Sequence, residues 1–131
     1  MSQHSVEVIL AKQLASHLTL PIFLVDPIGN LLYYNEPAEQ LLGHRFEATG
    51  EMPVDDWATT FQPTDRDGRP LPASDLPLVV AVDKRVPAHR TMTIRGLDGV
   101  VRDIEVMAFP LEGEGARFLG AVAIFWETGP R

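Results

Sequence analysis

The chain of 131 residues contains no cysteine. Without thiols it cannot form disulfides, thiolate metal sites or a cysteine nucleophile. Long apolar runs are also missing, and no stretch is long enough to span a bilayer. The lack of cysteine is compatible with a reducing compartment, so we expect a cytoplasmic protein.

Basic residues are scarce, with 11 Lys and Arg against 18 Asp and Glu and a formal net charge of −7. Nucleic acids and anionic membranes both attract basic surfaces, so this balance argues against either as a partner. The composition of the chain is otherwise typical of a globular protein, with 45% hydrophobic and 22% charged residues. We predict one domain over residues 20–127, preceded by a helix within residues 1–19 and followed by a tail, 128–131.

Residues 21–43 have the pattern strand, turn, strand and short helix. Phe23–Val25 and Leu31–Tyr34 are apolar, and the turn formers between them predict an antiparallel hairpin. Asn35 is suited to cap the helix that follows, because its side-chain oxygen can accept a free N–H of the first turn. Gly43 suits the end of that helix.

This stretch resembles the opening of a PAS domain, on the residues Asp26, Gly29, Asn35, Leu42 and Gly43. Residues 67–78, DGRPLPASDLPL, also resemble a pattern common in bacterial sensor PAS domains. The resemblance covers residues 14–127. It implies an α+β fold with a five-stranded antiparallel sheet in the order 2-1-5-4-3, helices on one face, and a sensory or interaction role.

The rest of the chain supplies the other elements of such a fold. A helix is predicted over Ser74–Lys84, with Ser74 as N-cap, and strands over Val86–Arg95, Val101–Phe109 and Phe118–Trp126. Asp98-Gly99 is a strong hairpin signal between two of these strands. Residues 46–72 are predicted to be a loop with one or two short helices, because their prolines prevent long regular structure.

Ser5–Leu18 is predicted to be an amphipathic helix whose apolar stripe needs a cover. The outer face of the sheet is apolar as well. Two arrangements remain open and can coexist: the helix covers its own sheet, or it joins two copies of the chain. We predict a homodimer built from Val6, Ile9, Leu10, Leu14 and Leu18 of the helix and from Ile124 and Trp126 of the last strand.

A ligand site is predicted between the sheet and the helices. Alternation places Met92, Ile94, Ile104 and Val106 on the inner face. The small residues at 121 and 123 suggest either a cavity or a space filled by neighbours such as Phe23, Met92 or Trp57. With the inner positions that the resemblance implies, the candidate ligand-binding residues are Phe23, Val25, Leu32, Tyr34, Trp57, Arg90, Met92, Ile94, Ile104, Val106, Ala121 and Ala123.

Two of these candidates are polar, and each has two interpretations. Arg90 could pair with a ligand carboxylate, or it could extend to solvent. The hydroxyl of Tyr34 could bond a ligand or a backbone carbonyl.

The resemblance also brings a choice of cofactors, which the residues narrow. Thiol-linked chromophores and the flavin–cysteine photoadduct are excluded, because there is no cysteine. Haem is disfavoured, since none of the four histidines lies in the predicted helix Ser74–Lys84. Non-covalent flavin, stacked on Trp57, remains open, as does a small apolar or carboxylate ligand. The domain could also bind no ligand and signal through a protein partner.

An enzyme is the alternative from a different class. Small α+β folds with a cupped sheet can host isomerases, and Tyr34 with Asp26 would be the candidate oxyanion donor and base. Asp26 has a simpler role in its turn. The pairs Asp55-Asp56 and Asp65/Asp67 lack the spacing of a calcium loop, so no metal site is predicted.

Overall fold

The computed structural model describes residues 6–128, without the side chains of residues 48 and 49. Ser5, the predicted start of the first helix, and residues 129–131 of the predicted tail lie outside the described residues. The helices are α1 (Val6–His17), α2 (Glu36–Leu42), α3 (Phe46–Thr49), α4 (Val54–Thr60) and α5 (Pro77–Lys84). The strands are β1 (Ile22–Val25), β2 (Leu31–Tyr34), β3 (Ala88–Arg95), β4 (Val101–Glu112) and β5 (Phe118–Glu127).

The five strands form one antiparallel sheet in the order β2-β1-β5-β4-β3, as predicted. Two hairpins, β1–β2 and β3–β4, lie on either side of β5, which pairs with β1 and with β4. Strand β5 is apolar on both faces because each face is covered. Helices α2 to α5 lie on the inner face, and α1 lies on the outer face.

Two hydrophobic clusters sandwich the sheet. The inner cluster joins alternate strand residues such as Phe23, Val25 and Ala123 to the helices that follow β2. The smaller outer cluster packs Val8 and Ala15 of α1 against strand residues. The sheet is therefore the middle layer of three, and the larger core lies on the side of the predicted ligand site.

The hairpin and short helix at residues 21–43 form as their sequence predicts. The Asp26 carboxylate accepts the N–H groups of Ile28 and Asn30 and stabilises the turn. The Asn35 Oδ1 atom accepts the N–H of Ala38 at 3.2 Å and caps α2. Gly43 ends that helix in the left-handed conformation, with φ of 74°.

Asn35 does more than cap a helix, because its side chain is fully buried and makes four hydrogen bonds. Its Oδ1 also accepts the N–H of Ile22 at 3.0 Å. Its Nδ2 donates to the carbonyls of Ala15 and Leu20, both at 2.9 Å. One amide thus connects the end of α1, the start of β1 and the first turn of α2.

The prediction of Ser74 as a helix N-cap is wrong. Residues Ala73–Asp75 form a 3₁₀ turn, and α5 begins at Pro77 with Leu76 as its N-cap. Proline forces the preceding residue out of the helical region, and Leu76 has ψ of 132°. The helix therefore starts after the proline-restricted residue, at a position where proline is favoured.

Candidate ligand cavity and association surface

An apolar cavity of about 90 Å³ lies between the inner face of the sheet and the helices. Four strands form one wall, and α2, α4, α5 and the segment between the last two form the other. The lining residues are Phe23, Leu42, Trp57, Ala58, Phe61, Pro63, Leu76, Pro77, Leu78, Met92, Ile94, Ile104, Val106, Ala123 and Phe125.

Aromatic contacts and one hydrogen bond fix the wall next to β1. The indole Nε1 of Trp57 donates to the carbonyl of Gly29 at 2.7 Å. The indole meets the ring of Phe23 edge-on, with centroids 5.3 Å apart. None of the lining residues has an ionisable side chain. This chemistry suits an apolar molecule and supplies no acid–base pair.

Seven of the twelve predicted ligand residues line this cavity: Phe23, Trp57, Met92, Ile94, Ile104, Val106 and Ala123. Val25, Tyr34 and Ala121 are buried in the inner cluster but lie away from the cavity. The structure thus brings the apolar candidates together on one face. Their binding of a ligand stays a prediction.

The prediction that Leu32 faces the inner side is wrong, because Leu32 belongs to the outer cluster. Leu24 pairs with Tyr33, whereas the next residue, Val25, pairs with Leu31. This leaves Leu32 as the extra residue of a β-bulge, which reverses the alternation along β2. Leu31 faces inward in its place.

The two polar candidates do not line the cavity. The hydroxyl of Tyr34 donates to the carbonyl of His44 at 3.0 Å. Of the two predicted partners, a ligand or a backbone carbonyl, the structure thus shows the carbonyl. Arg90 is half-buried in the same cross-strand row as Val106 and Phe125, and its Nε is buried with no hydrogen-bond partner among the described residues. The wall of the cavity therefore offers a carboxylate no cation.

Sequence reasoning missed most of the helix-side wall. Phe61 and Pro63 lie in irregular segments, where no periodicity marks the buried positions. Leu42 and Leu78 lie on helices whose apolar faces were a usable signal. The sequence alone does not show which residues of an irregular segment face the cavity.

Neither haem nor flavin fits the cavity as it stands. Sites for cofactors and drug-sized molecules occupy roughly 300–1,000 Å³, several times the volume found here. No histidine is among the lining residues, and His89 has a side chain that is 55% exposed. Within residues 6–128, no group of three or more His, Asp or Glu side chains is placed to hold a metal ion.

The ionisable groups with shifted pKa values lie away from the cavity. Burial raises the pKa of the Tyr33 phenol, and the carboxylates of Glu39 and Glu36 raise it further. The N–H of Val100 lowers the pKa of the Asp98 carboxyl, with a further contribution from Arg102. Neither Tyr33 nor Asp98 lines the cavity.

The residues of the enzyme alternative are not brought together. Asp26 follows β1 at the turn, whereas Tyr34 ends β2 and pairs with Phe23 at the far end of the hairpin. The Asp26 carboxylate accepts bonds from its own turn. These two side chains do not form an acid–base pair.

Helix α1 is apolar on two sides. Val8 and Ala15 are buried against the sheet, with Ala11 beside them. The predicted stripe instead faces solvent; Val6, Ile9, Leu10 and Leu14 are 67%, 53%, 56% and 62% exposed. We call these four residues the exposed stripe. Leu18, the fifth predicted member, is 39% exposed and lies just after the helix.

The alternative in which this stripe covers the sheet of its own chain is therefore wrong. The shorter side chains of Val8, Ala11 and Ala15 let α1 approach the outer face closely, and that face includes Ile124, which is partly buried there. Trp126 is half-buried on the same face of β5. At the start of the helix, Arg117 Nη2 lies 2.7 Å from Glu7 Oε2 and connects α1 to the β4–β5 loop.

Comparison with solved structures identifies the fold. The PAS domain of a protein from Colwellia psychrerythraea has 20% identity and a TM-score of 0.65, with 95% of this chain and 98% of that chain covered. The Rhodobacter sphaeroides LOV protein has 12% identity and a TM-score of 0.74, over 95% and 69%. The LOV domain of the Erythrobacter litoralis blue-light activated histidine kinase EL346 has 18% identity and a TM-score of 0.63, over 87% and 100%.

The chain therefore has the PAS fold, and the resemblance read from its sequence is confirmed at the level of the fold. No protein-family model and no curated protein matches the chain. In the described part of the chain, no helix is long and apolar enough to cross a bilayer.

Proposed function

We propose that the protein is a cytoplasmic sensory module that binds a small apolar ligand in the inner cavity and signals by self-association through the exposed stripe of α1. The observation that carries this proposal is the two-sided helix. One side of α1 covers its own sheet, and the other presents four large aliphatic side chains to solvent.

A contiguous apolar surface of this kind is typical of an interaction site. The positions between the stripe residues are Gln13 and His17, so no Lys, Arg, Asp or Glu lies within the stripe. Two copies of the stripe can thus meet without opposing like charges. A second copy is the simplest occupant, because a two-fold interface requires only one self-complementary surface.

The fold supports the sensory part of the proposal. Among the structural neighbours, the Erythrobacter LOV domain comes from a histidine kinase described as blue-light activated. The present chain has no cysteine for a flavin adduct, so we infer a different input. An apolar cavity without ionisable lining favours binding over catalysis.

Sedimentation velocity of the intact chain tests the association. We expect a dimer for the wild type and a monomer for Leu10→Glu with Leu14→Glu, because both substitutions place charge within the exposed stripe. Ile28→Glu is the matched control, since Ile28 is 74% exposed in the β1–β2 turn and is not part of the exposed stripe. A wild-type chain that is monomeric at high micromolar concentration would refute self-association. Dimerisation unchanged by the double substitution would refute this interface.

A further inference from the structure

Trp57 stands between two cavities. On one side is the inner cavity of about 90 Å³, and on the other is a surface groove of about 260 Å³. The groove lies between the β1–β2 turn, α4 and α5, with Ile28, Val54, Val79 and Val82 among its apolar walls. Trp57 is the single side chain common to both linings.

The indole of Trp57 is only 7% exposed and packs in the inner cluster. Its one hydrogen bond runs to the carbonyl of Gly29. Its ring contact is with Phe23. The helix that carries it, α4, has seven residues and no side-chain hydrogen bond at its N-cap, so little secondary structure fixes the position of the indole.

We propose that Trp57 is the movable wall of one ligand site, and that the ligand is a small aromatic molecule with an N–H or O–H donor that takes the place of the indole. This inference rests on the proposed function, in which the inner cavity receives the ligand. The groove beside α4 has the room to accept the displaced indole.

The chemical class of the ligand follows from the groups that lose a contact when the Trp57 indole moves. Its departure exposes the ring of Phe23, which another aromatic ring contacts well. It also removes the hydrogen-bond donor of the Gly29 carbonyl, and a buried carbonyl without a donor lowers the stability of the protein. The remaining wall of the cavity has no ionisable side chain. An uncharged ring with one donor satisfies all three conditions.

Volume explains why the wall must move. An apolar cavity of about 150 Å³ accommodates benzene, so 90 Å³ is too small for even one ring. Moving the indole into the groove adds the space that the indole vacates to the inner cavity, so the enlarged cavity can admit one aromatic ring.

Indole is the probe, and benzofuran is its matched control, because the two share one shape and differ in the ring N–H. The wild-type chain is labelled with 5-fluorotryptophan, and Trp126→Phe assigns the two fluorine resonances. We expect indole to shift the resonance of Trp57 and to leave that of Trp126, on the other face of the sheet, unchanged. Benzofuran is expected to bind about tenfold more weakly, since it leaves the Gly29 carbonyl unpaired.

Two variants complete the test. Ala123→Leu fills the inner cavity and should abolish the shift. Trp57→Ala removes the wall and should bind indole without displacement. Indole binding by Trp57→Ala alone would overturn the proposal, because the site would then exist only as an engineered hole. No shift in the wild type, or equal affinity for benzofuran, overturns it as well, even if Trp57→Ala fails to fold. Sedimentation of the unlabelled protein reports the proposed self-association separately.

Discussion

Replacing Asn35 with alanine should be among the most damaging single changes in the chain. The Asn35 side chain is fully buried and has both its acceptor and its donor satisfied. Alanine removes all four hydrogen bonds at once. The partners are backbone groups of α1, β1, α2 and the α1–β1 connection, so they cannot rearrange to satisfy one another.

The size of the effect follows from what each partner loses. The N–H groups of Ile22 and Ala38 lose their Asn35 Oδ1 acceptor in a buried setting, at a cost of about 1–2 kcal/mol each. The carbonyls lose less, because Ala15 still accepts the N–H of Leu18 and Leu20 lies at the surface. We expect the free energy of unfolding to fall by about 3 kcal/mol, a large share of the roughly 5–15 kcal/mol typical of a domain.

Urea unfolding followed by circular dichroism measures this loss, and hydrogen exchange locates it. Amide protection in α1 should fall furthest, because Asn35 Nδ2 holds the carbonyl of Ala15 at the end of that helix. Asn35→Asp keeps an acceptor but turns a second oxygen toward two carbonyls, so we expect at least an equal loss. A decrease below about 1 kcal/mol for both variants would refute this reasoning.

Two further predictions concern the cavity and the attachment of α1. Ala121→Leu should cost about 1–3 kcal/mol by overpacking, whereas Ala123→Leu should cost less, because its added carbon atoms enter the cavity; equal losses in urea unfolding would contradict the placement of the cavity. Hydrogen bonds from its own N–H and from that of Glu114, together with nearby Arg117, hold the pKa of Glu7 below 4.5. Because the folded-state pKa is lowered, the contribution of Glu7 to the docking of α1 is present above the ordinary pKa and lost as pH falls through the lowered one. Hydrogen exchange of α1 across that range should show this loss, and Glu7→Gln should remove the pH dependence.

The sequence predicts the strands well, because burial imposes a period of two on them. Met92, Ile94, Ile104 and Val106 alternate with polar residues, and the structure places all four on the cavity wall. The turn at Asp26 and the cap at Asn35 are also predictable, since each depends on chemistry within a few residues. The three additional bonds of Asn35 reach distant parts of the chain, and no local pattern reports them.

The predictions from sequence of which face is buried fail in two places. One is a helix that is apolar on two sides, and the other is a strand in which a β-bulge shifts the alternation of inward and outward residues. The bulge at Leu32 reverses the alternation in β2, and nothing in LLYY marks which residue is extra. Helix α1 has apolar residues on both sides, so the bulkier stripe looked like the buried one. In the structure the smaller residues are buried, because close approach of helix and sheet favours Ala11 and Ala15 over leucine.

The central place of β5 has a consequence for the order in which the protein is made. Residues 118–127 join two hairpins that have no direct pairing with each other, so the sheet is incomplete until that strand has left the ribosome. Until then β1 and β4 each present an unpaired edge, and both edges are rich in apolar residues. Closure pairs strands about a hundred residues apart, which makes folding slow relative to a helical protein of this size. The growing chain therefore presents these two unpaired edges until β5 is available to pair with them.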